Sequence, residues 1–431
     1  MSSIPLARQS HTQGGGPVPS VASARAVPVA QRLRAPPIAL DATRLVRRML
    51  RPAPTGIDRV DLAYLRAFLG RENDPCPERL GAARCFVHLP VLGFVELKLA
   101  GLRAFVGAME AMWRSGRGRW RVLFRCAALL AGARLVPAKT AGSPGILIIA
   151  SHLNLEHPCA LERLLARTGL RLCVFLHDMI PVEFPQFGRA DGAARHMARL
   201  ASARRLAQAI IVNSQATARA IAPFLDPARP IPVVPALLGI ERPIAKNPVQ
   251  RLLARPYFLC VGTIEPRKNH RLLLDIWRGM ATERPDDLPN LVLVGRRGWL
   301  NGDVFADLDK TPAGVHEIND ASDADLHAWL RHAVAVLAPT VAEGYGLPLG
   351  EALAHGIPVI ASDLPAHREI GKNAPVYLRP DDAGAWRAAI EEYALPHSAA
   401  RAQQMHRLAG WRAPTWEEHF AIVEDFLAEL A

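Results

Sequence analysis

The sequence predicts an α/β protein with two domains, each built on a parallel sheet. Its 431 residues suggest two or three domains at roughly 150 residues each. Short apolar, β-branched runs alternate with longer helical patterns, which is typical of parallel strands with helices on both faces. A Pro-rich stretch at 235–256 divides these runs into two series. We therefore expect two Rossmann-like domains that face each other across a cleft, with ligands bound beyond the carboxyl ends of the strands.

The candidate strands follow one another in chain order. The first series contains residues 37–41, 85–89, 145–150, 172–177, 209–213 and 231–235. The second series contains residues 257–262, 291–295, 315–318, 333–338, 357–362 and 376–378. We place an N-terminal domain at 37–240 and a C-terminal domain at 241–412. Residues 1–36 are rich in Ser, Pro, Gly and Ala and contain no acidic residue, so we expect a disordered, weakly basic tail.

The charge and apolar content of the chain restrict its partners. A net charge of +12 favours anionic partners, namely nucleic acid, acidic lipid or a phosphorylated substrate. We expect no nucleic-acid partner, because the sequence contains no compact recognition motif. No uncharged apolar run reaches about 18 residues, and no apolar stretch near the start suggests a signal peptide. A dehydrogenase is also disfavoured, because neither domain opens with G-x-G-x-x-G.

The strongest candidate site lies at residues 338–352, where an apolar strand runs into a loop with two glycines and then a helix. Glycines let the backbone approach a ligand closely, and a helix N-terminus suits a diphosphate. We expect the helix to begin at Pro348, which places Glu351 in its first turn. There Glu351 can accept two hydrogen bonds from a diol such as a ribose, and Glu343 can meet sugar hydroxyls. The candidate ligand-binding residues between them are Gly344, Tyr345, Gly346 and Leu347. The alternative is an ordinary strand–turn–helix in which Glu351 complements the helix dipole.

A second candidate site lies at residues 261–270, again after a strand and before a helix. It contains Gly262 and Thr263, followed by the adjacent cations Arg267 and Lys268. Two such cations can neutralise a leaving diphosphate, since charge-assisted hydrogen bonds contribute about 1.5–3 kcal/mol each. The alternative is a solvated basic turn.

Two motifs of the N-terminal series follow strands in the same way. His177 and Asp178 end an apolar strand, and His177 has a side chain that titrates near neutrality and can donate to a sugar hydroxyl. Gly56 stands at a helix start beside Thr55 and Asp58, either of which can cap that helix. For both motifs a purely structural role is the alternative.

With these motifs in place, the sequence resembles the retaining glycosyltransferases of family 4, which have the two-domain GT-B fold. The likeness is strongest to the bacterial, mannosyltransferase-like branch that builds O-antigens and exopolysaccharides, and it covers nearly everything from Ile38 onward. The family's paired glutamates match Glu343, at the donor sugar, and Glu351, at the ribose. Its diphosphate-binding cations match Arg267 and Lys268.

The resemblance extends to the N-terminal domain and the end of the chain. The family histidine that faces the donor sugar matches His177, and the family glycine loop matches Gly56. Residues 413–431 resemble the C-terminal helix that crosses back onto the first domain. Many members carry Arg where this chain has Thr263, which implies that Arg267 supplies the missing charge.

The resemblance implies a reaction. It is a metal-independent, retaining transfer of a hexose, with mannose favoured, from GDP-mannose or a UDP-sugar to a lipid-linked or saccharide acceptor. The catalytic residues would be Glu343, His177, Lys268 and Arg267. No cofactor is expected, and no Asp-x-Asp motif stands at a strand end. Two alternatives stay open: a sugar-nucleotide epimerase of the GT-B fold, and a non-catalytic subunit that binds sugar nucleotides.

Acceptors in this branch are polyprenyl-diphosphate-linked sugars, which implies a cytoplasmic enzyme at the inner face of the plasma membrane. The segment 113–125 interleaves aromatic and basic residues and is the candidate membrane contact. Its members are Trp113, Arg114, Arg117, Arg119, Trp120, Arg121, Phe124 and Arg125. We expect Arg117, Arg121 and Arg125 to share one helical face. The alternative is a solvated surface helix.

Overall fold

The computed structural model describes residues 36–51, 53–69, 84–136, 145–241 and 253–430. All but the last residue of the predicted tail, 1–36, lies outside this part of the chain. Within the described residues the strands form two sheets, one from each half of the chain. No helix in these residues has both the length and the apolar composition that crossing a membrane requires.

The first sheet has the strand order β4-β3-β2-β1-β5-β6-β7-β8. Its strands are β1 (Ile38–Asp41), β2 (Arg84–Leu89), β3 (Gly93–Glu96), β4 (Arg134–Leu135), β5 (Ile146–Ile149), β6 (Arg171–Leu176), β7 (Ala207–Val212) and β8 (Val233–Pro235). All six predicted strands of the first series are present within a few residues. The sequence prediction missed β3 and β4, which pair antiparallel at one edge. They are short, so they lack the extended apolar run that marks a buried strand.

The second sheet is parallel throughout the described residues and has the order β11-β10-β9-β12-β13-β14. Its strands are β9 (Tyr257–Val261), β10 (Asn290–Val294), β11 (Val315–Ile318), β12 (Val336–Ala338), β13 (Val359–Ser362) and β14 (Val376–Leu378). Each of them matches a predicted strand of the second series. Most residues of β9, β10 and β13 are buried, as expected for parallel strands covered on both faces.

Helices connect the strands of both sheets. Those of the first half are α1 (Thr43–Arg47), α2 (Gly56–Leu69), α3 (Leu99–Ser115), α4 (Arg119–Ala131), α5 (Pro158–Thr168), α6 (Ile180–Glu183), α7 (Gly192–Leu206) and α8 (Gln215–Ile221). Those of the second half are α9 (His270–Glu283), α10 (Gly302–Leu308), α11 (Asp323–Arg331), α12 (Leu347–Ala354), α13 (Pro365–Gly371), α14 (Ala383–Ala394), α15 (Ala399–Ala409) and α16 (Trp416–Glu429).

The helix α9 shows how the sequence pattern forms these layers. Its buried residues include Leu273, Ile276, Trp277 and Met280, whose spacing places them on one helical face. The Trp277 indole also donates to the Pro289 carbonyl at 2.8 Å. Each large apolar side chain buried in this way contributes about 1.5–3 kcal/mol.

The last helix, α16, packs against elements of the N-terminal half. A capping box formed by Thr415 and Glu418 starts it. His419 then lies 2.9 Å from the Tyr64 hydroxyl and forms an edge contact with that ring. The end of the chain is thus attached to the N-terminal half.

The predicted membrane segment, 113–125, spans two helices instead of one. Gly116 and Gly118 adopt left-handed conformations, with φ of 69° and 100°, and separate α3 from α4. Arg117 therefore lies outside the helix that carries Arg121. The prediction that Arg117 shares a helical face with Arg121 and Arg125 is wrong. Trp113 is also buried, and its indole donates to a backbone carbonyl at 3.0 Å, so it cannot contact a membrane.

Candidate functional site

The carboxyl ends of the two sheets meet at Gly344. Ser214, just after β7, donates from its hydroxyl to the Gly344 carbonyl at 2.9 Å, and Thr217 does so at 3.2 Å. A Cβ at Gly344 would lie 2.5 Å from the His177 carbonyl oxygen and 2.8 Å from Asp178 Cβ. Only glycine leaves room for this approach, so the glycine loop brings two predicted motifs into contact.

We expect Gly344→Ala to destabilise the protein by about 1–3 kcal/mol, because the new methyl group would force backbone apart in a packed contact. Chemical denaturation measures this change. Gly107→Ala is a suitable control, since Gly107 lies exposed in α3 with nothing near its Cβ position. That control should stabilise by roughly 0.5–1 kcal/mol. Equal stabilities of Gly344→Ala and the wild type would contradict a close approach of Gly344 to His177 and Asp178.

The predicted cations and the first predicted glutamate form one cluster. The Lys268 Nζ lies 2.5 Å from Glu343 Oε2, and Arg267 Nη1 lies 3.1 Å from the same oxygen. Arg267 also pairs through Nε with Glu265 at 2.6 Å and donates to the Ala342 carbonyl. The structure thus joins two separate sequence motifs through three charged side chains.

The electrostatics of this cluster keep Glu343 ionised. Burial acts to raise the pKa of Glu343, but Lys268 and Arg267 outweigh it and lower the pKa to about 2. The pKa of Arg267 rises, because Glu343 and Glu265 more than compensate for its burial. A carboxylate and two cations are therefore concentrated at this point, and of the two cations Lys268 lines the adjacent pocket.

A pocket opens beside this cluster, between β9, β12 and the start of α12. Lys268, Glu343, Gly346 and His367 line it. Gly346 is the N-cap of α12 and has φ of 104°, a conformation that favours glycine. Because it is a glycine, no side chain covers the helix N-terminus. A Cβ there would lie 3.0 Å from the His367 ring. The bare N-terminus and the adjacent lysine together suit a phosphate group.

The second predicted glutamate lies further along α12 than expected. The helix begins at Leu347, one residue before the predicted start at Pro348. Glu351 is its fifth residue, so the expectation that it lies in the first turn is wrong. Its carboxylate nevertheless remains partly accessible, with 23% of the side chain exposed. Burial raises the pKa of Glu351, and the cation of Arg59 acts against that rise.

Two further residues of the glycine loop have different surroundings. Tyr345 is buried, and its hydroxyl donates to the Leu238 carbonyl. This hydroxyl therefore holds the segment after β8 and is not free for a ligand. The side chain of Leu347 packs directly against Gly56 of the N-terminal half, since a Cβ at Gly56 would lie 3.1 Å from it.

The glycine of the second motif lies beside the lysine. A Cβ at Gly262 would lie 3.4 Å from Lys268 Cε, and its φ of 139° favours glycine. Thr263 instead faces Gly298, where a Cβ would approach its methyl group to 2.8 Å. Position 263 thus provides no cation, and Arg267 contacts Glu343 together with Lys268.

His177 is positioned as predicted but has different chemistry. Its Nε2 lies 2.8 Å from the Ala150 carbonyl, and since a carbonyl only accepts, Nε2 carries the proton. Burial lowers the pKa of His177 to about 4. The expectation of a group that titrates near neutrality and donates to a sugar is therefore wrong. The ring is neutral, and only Nδ1 remains, as an acceptor.

The motif around Gly56 contains a helix cap formed by Thr55 and Asp58. Thr55 donates from its backbone to Asp58 Oδ2 at 2.8 Å, and the Asp58 backbone donates back to the Thr55 hydroxyl at 3.4 Å. The predicted helix cap is thus confirmed. Asp58 is fully buried and pairs with Arg44 at 2.7 Å and with Arg48 at 2.9 Å.

Sequence reasoning missed several polar residues at the site. His367 lines the pocket, and its Nδ1 lies 2.9 Å from the Ser362 carbonyl. Its pKa is lowered by burial despite the nearby Glu343. Ser214 supports Gly344, and the His152 Nε2 accepts from the His177 backbone at 3.1 Å. Each follows a strand end by two to five residues, which is the signal that could have identified them.

Known proteins resemble parts of this chain. Residues 255–394 match the family described as Glycosyl transferases group 1. The serotype-specific mannosyltransferase WbdA of Escherichia coli is 34% identical over 161 residues, which is 34% of this chain and 19% of WbdA. The O-antigen chain mannosyltransferase RfbU of Salmonella typhimurium is 31% identical over 160 residues, covering 36% of this chain and 43% of RfbU.

Solved structures extend the likeness to both halves of the chain. HepE of Anabaena, in complex with UDP and glucose, aligns with a TM-score of 0.58 at 15% identity, over 91% of this chain and 99% of HepE. The α,α-trehalose 6-phosphate synthase of Burkholderia multivorans aligns with a TM-score of 0.55 at 12% identity, over 92% and 100% of the two chains.

These alignments support different conclusions. At such low identities the solved structures show the fold alone, and that fold is the expected two-domain GT-B arrangement. The aligned segment spans less than half the length of WbdA and of RfbU. The family match at 255–394 includes Lys268, Glu343 and the other residues that line the pocket. Residues 255–394 are therefore similar to a glycosyl transferases group 1 domain.

Proposed function

We propose that the protein is a retaining glycosyltransferase that moves a hexose, with mannose favoured, from a nucleotide-sugar donor. The observation that carries the proposal is the cluster of Lys268 and Arg267 on Glu343, beside a pocket at the N-terminus of α12. Mannose is favoured because WbdA and RfbU are both named as mannosyltransferases. The acceptor would be a lipid-linked or saccharide chain in cell-surface polysaccharide biosynthesis.

The chemistry follows from the charges of the pocket. The bond between the anomeric carbon and the nucleoside diphosphate breaks, and an acceptor hydroxyl attacks the same face and passes its proton to an oxygen of the leaving diphosphate. Lys268 and the helix N-terminus would stabilise the charge that develops on the leaving diphosphate. Glu343 would face the donor sugar and hold both cations in place before the donor binds. Lys268 and the N-terminus of α12 supply the positive charge, so the proposal requires no metal ion and no cofactor.

A thermal-shift screen against GDP, UDP, ADP and their sugars tests this proposal. A ligand at 100 times its Kd should stabilise the fold by about 2.7 kcal/mol. Incubation with the selected donor and an acceptor extract should then release the free diphosphate. A new epimer formed from the donor alone would favour the epimerase, and binding without turnover would favour a non-catalytic subunit. No shift with any nucleotide would contradict the whole proposal.

We also propose that α4 contacts the inner face of the plasma membrane. Trp120 and Phe124 lie one turn apart and are 84% and 71% exposed, respectively. Arg121 and Arg125 are exposed next to them. Aromatic side chains suit the lipid interface, and each basic residue near anionic lipid gains about 1 kcal/mol. A polyprenyl-diphosphate acceptor would be reached from this surface.

We expect the double variant Trp120→Ser and Phe124→Ser to bind vesicles containing phosphatidylglycerol at least about tenfold more weakly, because about 1.4 kcal/mol of burial is lost. Vesicle co-sedimentation measures this effect. Leu395→Ser, at an exposed apolar position between α14 and α15, should bind as the wild type does. Unchanged binding of the double variant would rule out α4 as the contact.

A further inference from the structure

Arg59 reaches from the N-terminal half into the proposed ribose site. It lies in the first turn of α2, and its Nη2 is 2.5 Å from Asp323 Oδ1, at the start of α11. Its Nε is 3.9 Å from Glu351 Oε1 on α12. A cation of one domain therefore stands beside a carboxylate that the proposed function assigns to the ribose of the donor.

The two contacts of Arg59 differ in kind. The contact with Asp323 is a hydrogen bond, whereas 3.9 Å to Glu351 is too long for one. Arg59 thus gives Glu351 a neighbouring positive charge without occupying its oxygen lone pairs. Among the described residues no side chain donates a hydrogen bond to Glu351. Both carboxylate oxygens remain available to a pair of hydroxyl groups.

Without Arg59, the pKa of Glu351 would be raised further, because its other surroundings all act in that direction. Burial raises the pKa of Glu351, and the negative charges of Asp323 on α11 and of Glu241 after β8 raise it further. Arg59 on α2 is the cation that opposes them. A protonated carboxyl would lose part of its capacity to accept from a diol.

We propose that Arg59 is a positioning residue that keeps Glu351 ionised, so that Glu351 accepts both hydroxyls of the donor ribose. This inference rests on the proposed function. It also links donor binding to the approach of the two domains, because Arg59 and Glu351 lie in different halves of the chain. Arg59 itself makes no contact with the ribose in this scheme.

Arg59→Met tests the proposal through the pH dependence of nucleotide binding. In this variant the pKa of Glu351 is higher, so the carboxylate is lost at a higher pH than in the wild type. We expect the variant to bind the selected nucleoside diphosphate about tenfold more weakly than the wild type at pH 6, and equally well at pH 8.5, one pKa unit being tenfold. Isothermal titration calorimetry of both proteins at each pH gives the ratio of their affinities. The titration of the ligand itself cancels from this ratio, because it affects both proteins equally.

Three further variants make the outcome specific. Arg59→Lys keeps the charge and should restore binding at pH 6. Asp323→Asn removes an acid beside Glu351 while Arg59 remains, so binding at pH 6 should be equal to or tighter than that of the wild type. Arg387→Met is the matched control. Arg387 lies on α14 and is also 31% exposed, and it connects α14 to α9 by pairing with Glu283 on α9 and with Glu391 on its own helix.

The outcomes separate this inference from the proposed function. A wild-type protein that binds no nucleoside diphosphate at either pH defeats the proposed function itself. Wild-type binding with equal affinity in Arg59→Met at pH 6 overturns the inference alone. A loss of equal size at both pH values also overturns it, because that result indicates a direct or structural role of Arg59.

Discussion

Lys268→Ala is expected to lower kcat/KM for sugar transfer by about 10²–10³-fold, the size expected for removing one preorganised donor from a developing charge. Lys268 is well placed for this role, since its Nζ lies 2.5 Å from Glu343 and lines the pocket. The effect should appear mainly in kcat, because charge on the diphosphate grows as the bond breaks. Release of the nucleoside diphosphate measures it.

The fold of this variant should persist, because Arg267 still pairs with Glu343. Circular dichroism and thermal unfolding check this point. Lys310→Ala is the matched control, because Lys310 is exposed after α10 and pairs only with Asp307 among the described residues. Transfer by Lys268→Ala at near wild-type rates would remove the role assigned to this lysine.

Glu351→Ala is expected to weaken nucleoside diphosphate binding by about 100-fold. The carboxylate would accept two hydrogen bonds from the ribose, and charge-assisted bonds contribute about 1.5–3 kcal/mol each. Since part of that energy offsets desolvation, a net loss of about 2.7 kcal/mol, or 100-fold, is expected. Calorimetry with the nucleotide selected by the thermal-shift screen measures the change.

Two comparisons test whether this loss is specific. Glu351→Gln keeps one carbonyl acceptor and should fall between the wild type and Glu351→Ala. Glu417→Ala removes an exposed acid at the start of α16, far along the chain from the site, and should bind normally. Wild-type affinity in Glu351→Ala would place the ribose elsewhere.

Much of the fold could be predicted because buried parallel strands have a strong local pattern. The run from Leu172 to Leu176 is apolar at every position, and such a run between helical patterns predicts a strand covered on both faces. Residues 93–96 and 134–135 escaped prediction. These edge strands are short, and their pairing with each other is set by the sheet and not by their own composition.

The residues of the site could also be found from the sequence, since polar groups that follow neighbouring parallel strands must share one edge. Lys268 follows β9 and Glu343 follows β12, and these two strands are adjacent in the second sheet. Two sheets that face each other were expected to bring the motifs of both halves to one cleft, but the contact of Gly344 with His177 was not predicted.

The sequence by itself determined the two sheets, the strand-end motifs and the chemical groups available at the site. Only the tertiary structure decided which groups are charged and which are accessible. Desolvation makes His177 neutral, and packing buries Trp113 although the next residue, Arg114, is exposed. Arg59 lies beside Glu351 although 292 positions of sequence separate the two residues. Electrostatic energy depends on distance in space and on burial, and neither quantity is encoded in local sequence spacing.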